Sequence, residues 1–72
     1  MNILKEIRSY KNMTQKELSE YLEIPLNTYK MYELGYRKIP TEIQIKVLKL
    51  GPTKKYGKIV NYLSSLLENE KK

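Results

Sequence analysis

Pro25 cannot sit inside a helix. It has no backbone N–H to donate, and its ring pushes Ile24 out of helical geometry. Yet the residues on both sides of it, in TQKELSEYLEIPLNTYKMYELG (residues 14–35), carry apolar side chains at helical spacing. A second helix must therefore stop just before Pro25, and a third must start at Pro25 or Leu26, because proline is tolerated in a first helical turn. The chain is thus committed to two short helices, about 15–22 and 26–34, joined by a turn at Glu23-Ile24 and held at a fixed angle.

The rest of the chain has similar punctuation. Ile3, Leu4, Ile7 and Tyr10 give a first helix one apolar face over roughly 2–11, ending near Asn12 and Met13. Thr14 stands three residues before Glu17, a capping box that starts the second helix, whose inward face reads as Leu18, Tyr21 and Leu22. Tyr29 and Tyr32 give the third helix its core side, and Gly35 follows where a helix end favours positive φ. After a loop from Tyr36 to Pro40, Thr41 is expected to cap a fourth helix with the face Ile43, Val47 and Leu50, and Gly51-Pro52 ends it. A fifth helix is expected from about Tyr56 to Glu68, with residues 69–72 as a fraying tail. No segment alternates as a strand would. The expected fold is all-α: five short helices in one domain, residues 1–68.

The chain of 72 residues has no cysteine, histidine or aspartate, and its eight glutamates are scattered singly. Zinc ligand sets and Ser–His or Cys–His pairs cannot be built from it. The expectation is a protein that is not an enzyme, with no cofactor, no metal and no evident small-molecule ligand. Net charge is +6, which suits an anionic partner, nucleic acid before a membrane surface. The chain has neither an apolar run long enough to span a membrane nor a secretory leader, so a cytoplasmic location is expected.

The segment TQKELSEYLEIPLNTYKMYELGYRKIP resembles the lambda-repressor-like, Cro/C1-type helix-turn-helix family. Thr14, Gln15, Leu18, Ile24, Glu33, Gly35, Arg37 and Pro40 carry the resemblance, which extends over residues 2–50. Ser19 stands in the slot usually held by Ala, Glu23 in one often held by Gly, and Pro25 where a Ser or Thr cap is usual. The resemblance implies a compact domain of four or five helices that binds double-stranded DNA, with the third helix in the major groove. It implies phosphate contacts from the start of the second helix (Thr14, Gln15) and from the loop Tyr36, Arg37 and Lys38. It also implies an ion pair between Arg8 and Glu33.

On the third helix, Leu26, Asn27, Lys30 and Met31 lie opposite Tyr29 and Tyr32, on the side that would meet base edges. Asn27 suits adenine and Lys30 suits guanine, while Leu26 and Met31 suit thymine methyls. For Leu26 a core role is the lesser alternative. Residues 46–58 hold five lysines and no acid, and read either as an extended phosphate footprint or as a solvated outer face. The tyrosines, spaced helically, read as core or dimer residues before base-stacking groups. Ile59, Tyr62, Leu63, Leu66 and Leu67 give the fifth helix more apolar surface than its own core needs, and are expected to form a homodimer interface. The expected function is a small phage- or plasmid-type repressor acting by operator occupation. The alternatives are a protein-interaction module of antitoxin or anti-repressor type, and a binder of single strands.

Overall fold

The computed structural model describes residues 2–70. Five helices follow in order: α1 (Ile3–Lys11), α2 (Gln15–Tyr21), α3 (Leu26–Leu34), α4 (Thr41–Leu48) and α5 (Thr53–Glu70). No strand occurs among the described residues.

Three helices end in the same backbone device. After α1, Asn12 turns left-handed (φ 59°) and the N–H groups of Asn12 and Met13 return to the carbonyls of Ser9 and Arg8. After α2, Glu23 does the same (φ 58°), with Glu23 N–H donating to Glu20 and Ile24 N–H to Ser19, each at 3.1 Å. After α3, Gly35 takes the position (φ 84°) and Tyr36 N–H closes the motif on Met31. Each closure satisfies carbonyls that a helix end leaves open and reverses the chain sharply. Only Gly35 is unstrained there. A side chain in left-handed geometry costs about 1 kcal/mol, which Glu23 bears to keep the turn between α2 and α3.

The helix starts are equally local. The Asn2 side chain accepts from Leu4 N–H at 2.8 Å and donates to the Tyr32 carbonyl at 2.9 Å, so one residue caps α1 and ties it to the end of α3. The Thr14–Glu17 capping box is present in both directions. Pro25 takes the cap position of α3 through its carbonyl, which accepts from Tyr29 N–H.

Leu4, Ile7, Leu18, Leu22, Tyr29, Tyr32, Val47, Leu48 and Tyr56 form the core. In the main helix contacts α2 packs on α3 and α4 on α5, and α1 touches both α3 and α4. Ser19 is buried, its hydroxyl donating to the Lys16 carbonyl. A small side chain is what the packing of α2 admits there.

Several expectations need correction. Tyr10 and Tyr21 are exposed rather than inward. Leu4 and Ile7 complete the buried stripe of α1, and Tyr10 lies beyond it, in the last turn before the reversal at Asn12. On α2 the stripe runs through Leu18 and Leu22, one turn apart, and Tyr21 falls on its flank. Thr41 does not cap α4. Pro40 takes that place, its carbonyl accepting from Gln44 N–H, and Thr41 is the first helical residue. The buried residues of α4 are Ile45, Val47 and Leu48, with Ile43 and Leu50 only half-buried. Helix α5 begins at Thr53, not Tyr56, because the Pro52 carbonyl accepts from Lys55 and Tyr56 N–H and so opens the first turn early. It continues through Asn69 and Glu70, past the expected end at Glu68, while residues 71–72 lie outside the described residues.

Gly51 makes the join between α4 and α5 possible. A Cβ built there would lie 2.6 Å from Ile7 Cδ1 and from the Tyr56 ring. Both neighbours are buried, so neither can swing into solvent. Gly51→Ala is expected to destabilise the domain by about 1–3 kcal/mol through overpacking, read as a lower midpoint in urea unfolding.

Candidate nucleic-acid interface

The outward line of α3 is set by its inward one. Tyr29 and Tyr32 are buried, so Asn27, Lys30, Met31 and Leu34, at helical spacing on the other side, face solvent. Leu34 is 67% exposed, an unusual state for leucine, and Met31 is also open. Leu26 and Thr28 are half-buried at the margins of this face.

Two surface grooves meet on it. One is lined by Asn27, Thr28, Lys30, Met31 and Arg37. The other runs past Thr14, Gln15, Lys16, Leu26 and Lys30, with Arg8 and Asn12 at its edge. Lys30 belongs to both, so the face of α3 continues without interruption onto the start of α2. Arg37 reaches the α3 groove from the following loop. Tyr36, Arg37 and Lys38 are all exposed. A further groove with Asn2 and Ile3 is lined by both Arg37 and Lys38, so Arg37 borders two grooves and Lys38 only this one, away from the outward residues of α3. Lys16, Thr28 and Leu34 were not among the sequence candidates. Leu34 was accessible to the helical spacing, since it stands seven residues after Asn27.

Behind this face the Glu33 carboxylate joins three helices. Arg8 of α1 donates through its Nε and a terminal nitrogen, at 3.2 and 3.0 Å, to the two oxygens of Glu33. Gln15 Nε2 of α2 donates to Oε1 at 3.2 Å, and the Tyr29 hydroxyl of α3 donates to Oε2 at 2.5 Å. Arg8 also reaches the Met13 carbonyl, in the turn before α2. The Arg8 and Glu33 side chains are only 21% and 10% exposed. Gln15 is therefore not a free surface amide. One of its N–H groups is fixed inward, which orients the rest of the side chain along the groove.

Partial burial pushes the Glu33 carboxyl up, but the hydrogen bonds from Arg8, Tyr29 and Gln15 outweigh it and hold the group below its ordinary value of 4.5. Burial and the adjacent carboxylate push the Tyr29 hydroxyl strongly up, so it stays a donor. A carboxylate whose pKa is lower in the folded chain contributes stability that is complete above the unfolded value and fades as pH falls through the folded one. Glu33→Ala leaves Arg8 and the Tyr29 hydroxyl without their acceptor. It is expected to cost about 2–4 kcal/mol, somewhat below a fully buried pair, and to lower Tm by roughly 10 °C or more. The wild type is expected to lose Tm as pH falls below about 4.5, and Glu33→Gln is expected to flatten that loss. Thermal melts followed by circular dichroism across that range check both.

Charge is unevenly spread. Residues 12–35, the helix-turn-helix itself, carry Lys16 and Lys30 against four glutamates. Residues 36–58 carry seven basic side chains against Glu42 alone. Among the described residues no helix is long and apolar enough to cross a membrane.

The chain matches the helix-turn-helix family over residues 4–50, from α1 through the end of α4. No curated protein and no solved structure matches it. The match covers well over half of the sequence and includes both helices that frame the α3 face. The chain belongs to the Cro/C1-type helix-turn-helix family of DNA-binding regulators.

Proposed function

We propose that the protein is a repressor of phage or plasmid type, which silences a promoter from the cytoplasm by occupying an operator as a two-fold dimer. The observation that carries this reading is the exposed face of α3, flanked by Arg37 on one side and by Gln15 and Lys16 on the other. Phosphate donors on both flanks of a row of base-reading side chains are what a helix lying in a major groove requires.

The roles divide by chemistry. Asn27 presents the paired donor and acceptor that match adenine, and Lys30 donates to guanine O6 or N7. Leu26, Met31 and Leu34 offer apolar contact to thymine methyls. Thr14, Gln15, Lys16, Tyr36, Arg37 and Lys38 hold the backbone. For the dimer, Ile59, Tyr62 and Leu66 form one exposed line along α5. Leu63 packs against the core of its own chain and Leu67 is half-buried, so these two border the interface rather than centre it.

Two experiments test the reading. After selection of duplexes from a random pool, Asn27→Ala is expected to cost about 1–3 kcal/mol on the selected site and little on random DNA. Arg37→Ala is expected to weaken both alike and to reduce the salt slope by about one counterion per subunit. Identical profiles for the two variants would remove α3 from the reading role. No shift with any duplex at low salt would favour a protein partner instead.

Leu66→Glu places a charge within the exposed line of α5. Sedimentation velocity is expected to show a folded monomer for the variant and a dimer for the wild type. A wild type that stays monomeric both free and on its DNA contradicts the α5 interface.

A further inference from the structure

The positive charge of this chain does not gather on the helix-turn-helix. Residues 12–35 are net negative, and the positive charge of the chain gathers in residues 36–58. Arg37 borders the α3 face, but the lysines of α4 and α5 do not. Neither groove on the outward face of α3 is lined by any residue of α4 or α5, and the groove at the end of α3 takes Gln44 of α4 but none of these lysines. Helix α5 packs mainly on α4, and α1 provides the contact between α4 and the recognition half.

On that other half the lysines are organised. Lys46 is exposed on α4 and Lys49 caps the end of that helix, about one turn on, while Lys54 and Lys58 stand one turn apart on α5. Lys49 lines a groove between the two helices with Thr53, Gly57 and Asn61, while Lys54 and Lys58 lie outside that groove, exposed on α5. Among the described residues none of the four is in an ion pair, whereas the neighbouring Lys55 is held by Glu6. Lys54, Lys55 and Lys58 are all exposed, but Lys55 is tied to α1 by Glu6, whereas Lys54 and Lys58 have no carboxylate partner among the described residues.

We infer that this lysine face is a second docking surface, for the sugar–phosphate backbone of a DNA duplex other than the one held by α3. Lys46, Lys49, Lys54 and Lys58 carry four exposed, unpaired positive charges, which complement a polyanion, and the exposed apolar line of Ile59 and Tyr62 begins just after Lys58. Lysines on flexible stems act as point charges and tolerate any register of phosphates. Lys54 and Lys58 are about 6 Å apart along the helix axis, close to two phosphate steps of one strand, which advance about 3.4 Å each along the duplex. A molecule with a reading face on α3 and a charged face on α4–α5 brings two duplex segments together. It would compact or loop the DNA around its site.

The test uses the full chain and two short duplexes, one carrying a donor dye and the other an acceptor, at low salt of about 50 mM. The wild type is expected to give energy transfer between the duplexes that fades as salt is raised. The triple variant Lys49→Gln, Lys54→Gln, Lys58→Gln is expected to lose most of the transfer while its affinity for a single duplex carrying the site selected through α3 changes less than about twofold. All three side chains are exposed, and an unchanged melting curve verifies the fold. Transfer that persists in the triple variant assigns bridging to two recognition helices of a dimer and overturns the inference. So does a wild type that binds one duplex without transfer. So does a triple variant whose single-duplex affinity falls with a salt slope reduced by about three, because the lysines would then belong to the first duplex. Displacement of the second duplex by single-stranded RNA at far lower concentration also overturns it.

Discussion

The Glu33 carboxylate is the point at which the recognition half is assembled. It lies at the far end of α3, yet it accepts from Arg8 on α1 and Gln15 on α2 as well as from Tyr29 on its own helix. Three short helices in a small domain bury little apolar surface per pair, so their mutual angles need polar constraints with direction. The bidentate Arg8 contact provides one, and the Gln15 amide provides another at the position where α2 begins. The same carboxylate therefore fixes the packing and orients a side chain that faces the groove. A change at Glu33 is felt in stability and in the geometry of the surface together.

The second organising feature is the asymmetry between halves. The α2–α3 pair is acidic outside its reading face, with Glu17, Glu20 and Glu23 exposed, and the α4–α5 pair is strongly basic. α1 joins them, through Asn2 and Arg8 toward α3 and through Glu6 toward α5. Local repulsion near DNA from the three glutamates favours a docking pose that turns them away, which is a constraint on orientation as much as a loss of affinity.

Much of this was legible in the chain because the decisive signals are local. Pro25, Gly35 and the Thr14–Glu17 box place the ends of α2 and α3 within a residue or two, since proline, left-handed glycine and capping are backbone chemistry. The corrections arose where the answer depends on what covers a side chain. Tyr10 and Tyr21 have the spacing of inward residues, but spacing does not tell where along a helix the neighbouring elements stop. Thr53-Lys54-Lys55 looked like loop because its first turn has no apolar residue, and the Pro52 carbonyl that starts it is silent in composition. On the candidate site, the outward line of α3 was readable from period alone. The inward tie of Gln15 was not, because it joins residues 18 positions apart, and neither was the separation of the α4–α5 lysines from that line.

The reading face and the fold draw on different residues. Asn27, Lys30, Met31 and Leu34 are exposed and none supports the core, while the angle of α3 is held by Tyr29, Tyr32, Glu33 and the backbone closure at Glu23 and Ile24. Exposed substitutions of this kind usually alter stability by less than about 0.5 kcal/mol. On the proposed reading of DNA by α3, a lineage carrying this domain can change the sequence it prefers one side chain at a time, each intermediate remaining folded. New specificities are within short mutational reach, and the scaffold beneath them stays the same.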